Sequence, residues 1–421
     1  MAEDMRSKLQ QFLITKTDFL SKKDKLSEDD LRAFVVKTID DLCLEQKIAL
    51  PATEKAAIVR EIVGAVVSLG PLRALVEDQS ISEIMVNGPD HVYIQKRGHI
   101  ELTPIKFDDS RHLLHVIQKM LSGSGSSRRV DESSPYVDFS WKDGSRVNVI
   151  LPPCSLIGPV VTIRKFSSDI GRIEDLLKLK MLNEKMATFL IAAIKAKLNI
   201  VFCGATGTGK TTILNVLSKY IPQDERIITI EDTSELRLLQ EHVVSLQSKA
   251  ANIEGRGAIS IRELFVNSLR MRPDRIILGE VRGEEALDMI QSITSGHTGS
   301  LAIIHAASPE DCFNRMVTML LMSGIRLSTE EIKRQVASAV DLIVHVELFM
   351  DGRRRVTHIT DFLYKQETDE LITENIFKYE QQRINDNGTI EGDWFMSKKK
   401  PSFYDRFVKK NAGLPENFFG S

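Results

Sequence analysis

Ile200-Val201-Phe202-Cys203 runs directly into Gly204-Ala205-Thr206-Gly207-Thr208-Gly209-Lys210-Thr211-Thr212, and Ile213 to Tyr220 then carries apolar residues at helical spacing. An apolar run of strand character, a G-x-x-x-x-G-K-T loop and a helix follow one another in the order a phosphate-binding P-loop requires. That context makes the motif far more specific than a glycine-rich turn alone.

Each residue type in the loop has a physical reason. Gly204, Gly207 and Gly209 let successive backbone N–H groups turn inward as an anion nest, and the helix starting near Lys210 directs its positive dipole end at the same spot. Lys210 adds a compact mobile charge for β- and γ-phosphates. The Thr211 hydroxyl suits a Mg²⁺ that keeps most of its waters. Residues 204–212 therefore point to a nucleotide, with ATP and Mg²⁺ as the expected ligands.

At 421 residues the chain is long enough for two or three domains. Lys+Arg 56 against Asp+Glu 58 leaves a net charge of -2, so the global basic field of a dedicated nucleic-acid binder is missing. Cys43, Cys154, Cys203 and Cys312 are scattered, with no zinc spacing, which fits a reducing compartment and argues against structural zinc. No apolar run reaches 18 residues, and the first residues lead into no signal-like segment. A cytoplasmic protein is the expectation.

Residues 1–66 read as a helical domain. Leu31, Phe34, Val35, Ile39 and Leu42 keep a 3.6 period behind Ser27-Glu28-Asp29-Asp30, and a second helix is expected over 53–69. From 67 to 168 the pattern is a small α+β domain with an antiparallel sheet. Its strands are expected at Ile81 to Asn87, His91 to Lys96, Ile100 to Leu102, Val137 to Trp141, Arg146 to Leu151 and Val160 to Ile163, with a helix at Ser110 to Leu121. Residues 169–180 read as a linker. The segment 181–350 alternates helices with continuously apolar strands at Ile200, Ile227, Ile276, Leu301 and Leu342, as in a mostly parallel sheet covered on both faces. Its Ser328-Thr329-Glu330-Glu331 fits a capping box. This is an α/β, RecA-like P-loop core, and 351–421 reads as a strand or two followed by a polar, loop-rich tail.

Phosphate cradling alone does not hydrolyse ATP; carboxylates at the carboxyl ends of neighbouring strands are needed for the metal and the attacking water. Glu231 with Asp232, and Glu280, each follow an apolar strand directly. His297 and His305 flank the next strand at its two ends, and Arg282 lies close enough to pair with Glu280. Arg128, Arg129, Arg146 and Arg164 fall in or beside strands of the small domain, where each alone reads as a surface charge.

Taken together these boxes resemble the secretion ATPases of type II, type IV and type IV pilus systems: the P-loop, Glu231-Asp232, Leu278-Gly279-Glu280-Val281-Arg282, and Gly296-His297-Thr298-Gly299-Ser300 with His305-Ala306. Upstream, Gly70-Pro71-Leu72, Glu83 to Pro89, Arg129-Val130-Asp131, Gly144 to Asn148 and Thr162 to Phe166 resemble the CpaF (TadA) branch, which powers Tad/Flp pili. The resemblance implies a PAS-like fold for the small domain and a homo-hexameric motor at the inner face of the bacterial inner membrane. Its implied partners are inner-membrane pilus platform proteins, through which it is held peripherally at the membrane, and not nucleic acid. It also implies that Glu231 orients or activates water, that Glu280 with Thr211 supports Mg²⁺, and that His297 and His305 monitor the γ-phosphate. Arg146 and Arg164, with Arg129, match positions from which the small domain reaches phosphate. Two alternatives stay open: a RecA-like nucleic-acid translocase, disfavoured by neutral charge and 6% aromatic content, and a nucleotide switch that does not hydrolyse.

Overall fold

The computed structural model describes residues 28–46, 51, 55, 56 and 59 and, from 69 to 420, all but 97, 98, 125–127, 142, 166–169, 250, 252–255, 366, 367, 369 and 387. The chain forms two compact units, Met1–Phe166 and Ser167–Ser421.

In the first unit, α1 (Glu28–Gln46) buries Val35 and Ile39, as its 3.6 period requires. Its expected cap Ser27 and most of the second helix expected over 53–69 lie outside the described residues. Then come α2 (Arg73–Glu77), β1 (Ile81–Asn87), β2 (His91–Lys96), β3 (His99–Leu102), α3 (Ser110–Gly123), β4 (Tyr136–Ser140), β5 (Arg146–Ile150) and β6 (Val160–Arg164). The sheet has the order β3-β2-β1-β6-β5-β4 and is antiparallel at every pairing. Its strands alternate: Val147 and Val149 of β5 and Val161 and Ile163 of β6 are buried, in one cluster with Leu113, Val116, Ile117 and Met120 of α3. The residues between them face away from that helix. A hydrophobic stripe on α3 therefore covers one face, and the other is left polar.

The second unit opens with α4 (Ile173–Lys178), inside the stretch expected to be a linker. Ile173 and Leu176 are buried in the unit's core, so two apolar anchors in a charged hexapeptide tie this segment down. Next come α5 (Glu184–Lys195), β7 (Ile200–Gly204), α6 (Lys210–Ser218), β8 (Ile227–Glu231), β9 (Val243–Gln247), α7 (Ile261–Ser268), β10 (Arg275–Leu278), α8 (Glu285–Thr294) and β11 (Leu301–His305). These are followed by α9 (Pro309–Met322), α10 (Thr329–Ala339), β12 (Leu342–Leu348), β13 (Arg354–Lys365), β14 (Glu370–Ile384), β15 (Ile390–Met396) and α11 (Tyr404–Lys409). The capping box at Ser328 and Glu331 forms and starts α10.

The sheet order is β15-β14-β13-β12-β7-β11-β10-β8-β9. It is parallel from β12 to β9 and antiparallel from β12 to β15. Along β7, Ile200 and Phe202 join the core under α5 and α6, while Val201 and Cys203 join the opposite core with α8, α9 and α10. Burial on both faces is what the unbroken apolar runs demanded.

The C-terminal stretch departs from the expected loop-rich tail. β13, β14 and β15 extend the sheet, and the last residues fold back so that Phe189 of α5 meets Phe377, Phe407 and Phe419 at centroid separations of 5.7, 5.5 and 6.2 Å. β14 reads as polar because most of its length is exposed or half-exposed, which blurs the period-2 pattern. β9, also unexpected, is a half-buried edge strand.

Candidate active site

β7, β8, β10 and β11 end at one edge of the sheet, so Gly204, Glu231, Glu280 and His305 collect there; across the β7 and β11 ladder Gly204 lies opposite His305. At Gly204 (φ +150°) an added Cβ would lie 2.1 Å from the Val346 carbonyl oxygen, so only glycine lets the strand enter the loop. α6 starts at Lys210 behind Gly209. Lys210 is only 6% exposed and donates to the carbonyls of Gly204 (3.0 Å) and Ala205 (2.7 Å). Burial pulls its pKa below the usual lysine value, and the nearby Glu280 charge works in the opposite direction.

Lys210 Nζ is also 3.4 Å from His305 Nδ1, and His305 Nε2 is 3.2 Å from Glu280 Oε1. An ammonium has only donors, so Nδ1 accepts and the ring proton sits on Nε2, facing Glu280. Burial and the Lys210 charge hold the His305 pKa below its ordinary value, which keeps this neutral tautomer at physiological pH. Arg282 closes the chain through an ion pair with Glu280 at 2.5 Å. The order Lys210, His305, Glu280, Arg282 alternates donors and acceptors without a break.

Glu231 is placed differently. It is 3% exposed, and its Oε1 accepts the backbone N–H groups of Glu235 (2.8 Å) and Leu236 (2.9 Å). Gly279 packs on it so closely that a Cβ there would lie 2.6 Å from Glu231 Cγ. Desolvation pushes its pKa up to about 7 despite the two N–H bonds. A carboxyl so enclosed shapes the loop 232–236, and the acid that this loop delivers to the phosphate side is Glu235. Its Oε2 accepts from Thr211 Oγ1 at 3.3 Å. The sequence reading overlooked Glu235 because no apolar strand precedes it; its signal was the spacing Glu231-Asp232-Thr233-Ser234-Glu235. Asp232 accepts from Ser248 Oγ.

His297 is not brought to this edge. It precedes β11 at the amino end of the strand, where the neighbouring Gly299 and Ser300 donate to Asn199 Oδ1 at the foot of β7. Four strand steps, about 13 Å, lie between that end and His305. The His297 Nδ1 is buried without a hydrogen-bond partner among the described residues.

In the first unit, Arg146 pairs directly with Arg164 across β5 and β6, and Arg164 pairs with Glu83 across β6 and β1. Arg164 Nε is 3.9 Å from Glu83 Oε1. Arg129 is exposed on the segment before β4. Two like charges opposed on one polar sheet face are destabilising unless an anion offsets them, and Glu83 supplies one such charge.

The sequence pattern of the type II/IV secretion system proteins matches residues 66–386. The protein VirB11 of the Brucella suis type IV secretion system is 34% identical over 333 residues, covering 71% of this chain and 90% of that protein. VirB11 of Agrobacterium fabrum is 31% identical over 341 residues, covering 71% and 97%. The structure of the pilus retraction motor PilT with bound ADP shares the fold, with a TM-score of 0.50 at 17% identity over 81% of this chain and 86% of that one. With the phosphate loop, the acids and His305 gathered at one sheet edge, the chain belongs to the type II/IV secretion system ATPase family and is an ATP-hydrolysing enzyme.

Proposed function

We propose that this chain is the motor ATPase of a Tad/Flp-type pilus, working as a homo-hexamer on inner-membrane platform proteins at the cytoplasmic face of that membrane. The CpaF-like stretches at 70–72, 83–89, 129–131, 144–148 and 162–166 support the branch. Among the described residues no helix is long and apolar enough to cross a membrane, so on this proposal attachment runs through partners. The observation that carries hydrolysis is the convergence of Lys210, His305 and Glu280 with the Thr211 and Glu235 oxygens at one edge.

Thr211, Glu235 and Glu280 offer hard oxygen ligands of the kind Mg²⁺ takes directly or through water, and the metal would supply charge neutralisation on the β- and γ-phosphates. Lys210 is held at the loop mouth by two carbonyls and presents its charge where those phosphates dock. Glu235 sits beside Thr211 and takes the proton of the attacking water, and Glu231 holds the loop that positions it. His305 links Lys210 to Glu280, so a change at the phosphate end is passed along the chain to Arg282. Arg146, Arg164 and Arg129 supply cationic stabilisation to the transferring phosphoryl group, a role worth about 10³ to 10⁵ in rate for an arginine finger.

Phosphate release from ATP, measured with and without single-stranded DNA and compared with Lys210→Ala, tests this reading. Turnover lost in the variant and unmoved by DNA is expected. Strong DNA stimulation would transfer the chain to the translocases, and equal turnover in both proteins would leave a nucleotide switch.

A further inference from the structure

The P-loop has a second support that its own motif does not contain. Arg354, the first residue of β13, donates from Nε to the carbonyl oxygen of Gly207 at 2.8 Å. Its aliphatic stem lies over the loop, so that a Cβ on Gly209 would sit 3.3 Å from Arg354 Cδ. Gly207 is the middle glycine of the phosphate nest. A planar trans peptide points its N–H opposite to its C=O, so a donor that fixes the Gly207 carbonyl on the β13 side turns the Thr208 N–H to the other side of the loop. A charged donor on the carbonyl also polarises the peptide, which strengthens the N–H as a phosphate donor.

The turn that carries Arg354 is itself pinned. Between β12 and β13, Phe349 and Arg353 close the hairpin at 2.9 Å, and Arg353 N–H donates to Asp351 Oδ1 at 3.0 Å. Arg355, buried beside it, bonds both Asp351 oxygens (3.2 and 2.8 Å) and the Ile390 carbonyl (2.9 Å). The Ile390 N–H returns a bond to Asp351 at 3.1 Å. The Arg355 guanidinium also lies 4.6 Å from the Phe349 ring centroid and 5.4 Å from that of Tyr379. These bonds hold the Asp351 carboxyl at about 2, below the usual range, so the latch is charged at neutral pH. The hairpin is therefore a rigid mount joining β14 and β15 to the phosphate loop.

We infer that Arg354 is a positioning residue for nucleotide binding: it fixes the Gly207 peptide from the C-terminal part of the sheet, so that the hairpin holds the P-loop in its phosphate-binding shape. This rests on residues 204–212 being the phosphate site. Acting through the Gly207 peptide, Arg354 strengthens ADP and ATP binding alike.

Fluorescent ADP and ATP titrations of the full chain test it, with Arg354→Ala, Arg354→Lys, Met350→Ala and Lys210→Ala side by side. Met350, 95% exposed at the tip of the same hairpin, serves as the control. Arg354→Ala is expected to weaken both nucleotides by about three- to tenfold, the equivalent of one hydrogen bond. KM should rise with kcat nearly unchanged, and Arg354→Lys, which keeps a charged donor, should recover much of the loss while Met350→Ala binds normally. Unchanged ADP binding in a folded Arg354→Ala, or a loss confined to ATP, overturns the inference, the second result because it would mean direct γ-phosphate contact. If Lys210→Ala also bound both nucleotides as well as wild type, the phosphate-site reading itself would fail; normal binding in Arg354→Ala alone sinks only the positioning role. Should Arg354→Ala unfold, Arg354→Met, which keeps an aliphatic stem over the loop and removes the donor, decides by the same criteria.

Discussion

The two sheets of this protein carry their charged residues in different places. In the antiparallel sheet of the first unit one face packs on α3 and the other is polar, so Arg146 at the start of β5, Arg164 at the end of β6 and Glu83 of β1 stand side by side across the ladder on the open face. In the parallel part of the second sheet both faces are buried, and the charged side chains of the site gather at the strand ends. Lys210, Glu231, Glu280 and His305 are at those ends because a strand covered on both sides has no other opening to water. A one-sided sheet can display charge across its open face; a two-sided sheet confines it to an edge.

The contrast can be broken most severely at the edge. Lys210→Ala should cut kcat/KM for ATP by about 10³-fold, since it deletes the charge aimed at developing negative charge on phosphate; a loss under tenfold would mean that the edge is not where phosphate is held. The open face is tested next. Arg146→Ala and Arg164→Ala should each lower kcat by about 10²-fold in the assembled protein, a modest share of what an arginine finger contributes, while leaving the melting temperature near wild type. Unchanged turnover in both variants would reduce that face to a solvated surface.

A finer cut separates two acids of the same loop. Glu235→Gln should reduce kcat by about 10²-fold as a lost proton acceptor, with KM for ATP little changed. Glu231→Gln should cost less than tenfold, because an amide oxygen can still accept the N–H groups of Glu235 and Leu236. The reverse order of effects would return the water-activating role to Glu231.

The smallest expected effect is one of stability. The Glu231 carboxyl has a folded pKa of about 7 against an ordinary 4.5, so the folded state holds the proton more tightly. Its stability penalty is absent below about pH 4.5 and grows to about 3 kcal/mol as pH rises through 7. Chemical denaturation of wild type and Glu231→Gln from pH 4.5 to 8 should show the variant gaining on wild type across that window. Parallel curves would mean that the carboxyl is not desolvated.

How far the sequence was readable follows the same division. Strands β1 to β6 and β7, β8, β10, β11 and β12 announced themselves by period 2 or by unbroken apolar runs, and the capping box of α10 needed only four residues. The half-exposed β9 and β14 carry neither pattern and went unseen. α4 reads as linker because two buried residues, Ile173 and Leu176, are too few to set a period.

The phosphate loop was determined by sequence alone, because its geometry comes from glycine backbone freedom and a helix start, both local in the chain. Local chemistry likewise placed acids after β8 and β10. Which acid faces Thr211 was decided only by tertiary structure, through the close approach of Gly279 to Glu231 and the two N–H bonds that turn the loop toward Glu235. So was the hold of Arg354 on Gly207, a contact between residues 147 positions apart that exists only because β12 pairs beside β7 and its hairpin falls over the loop.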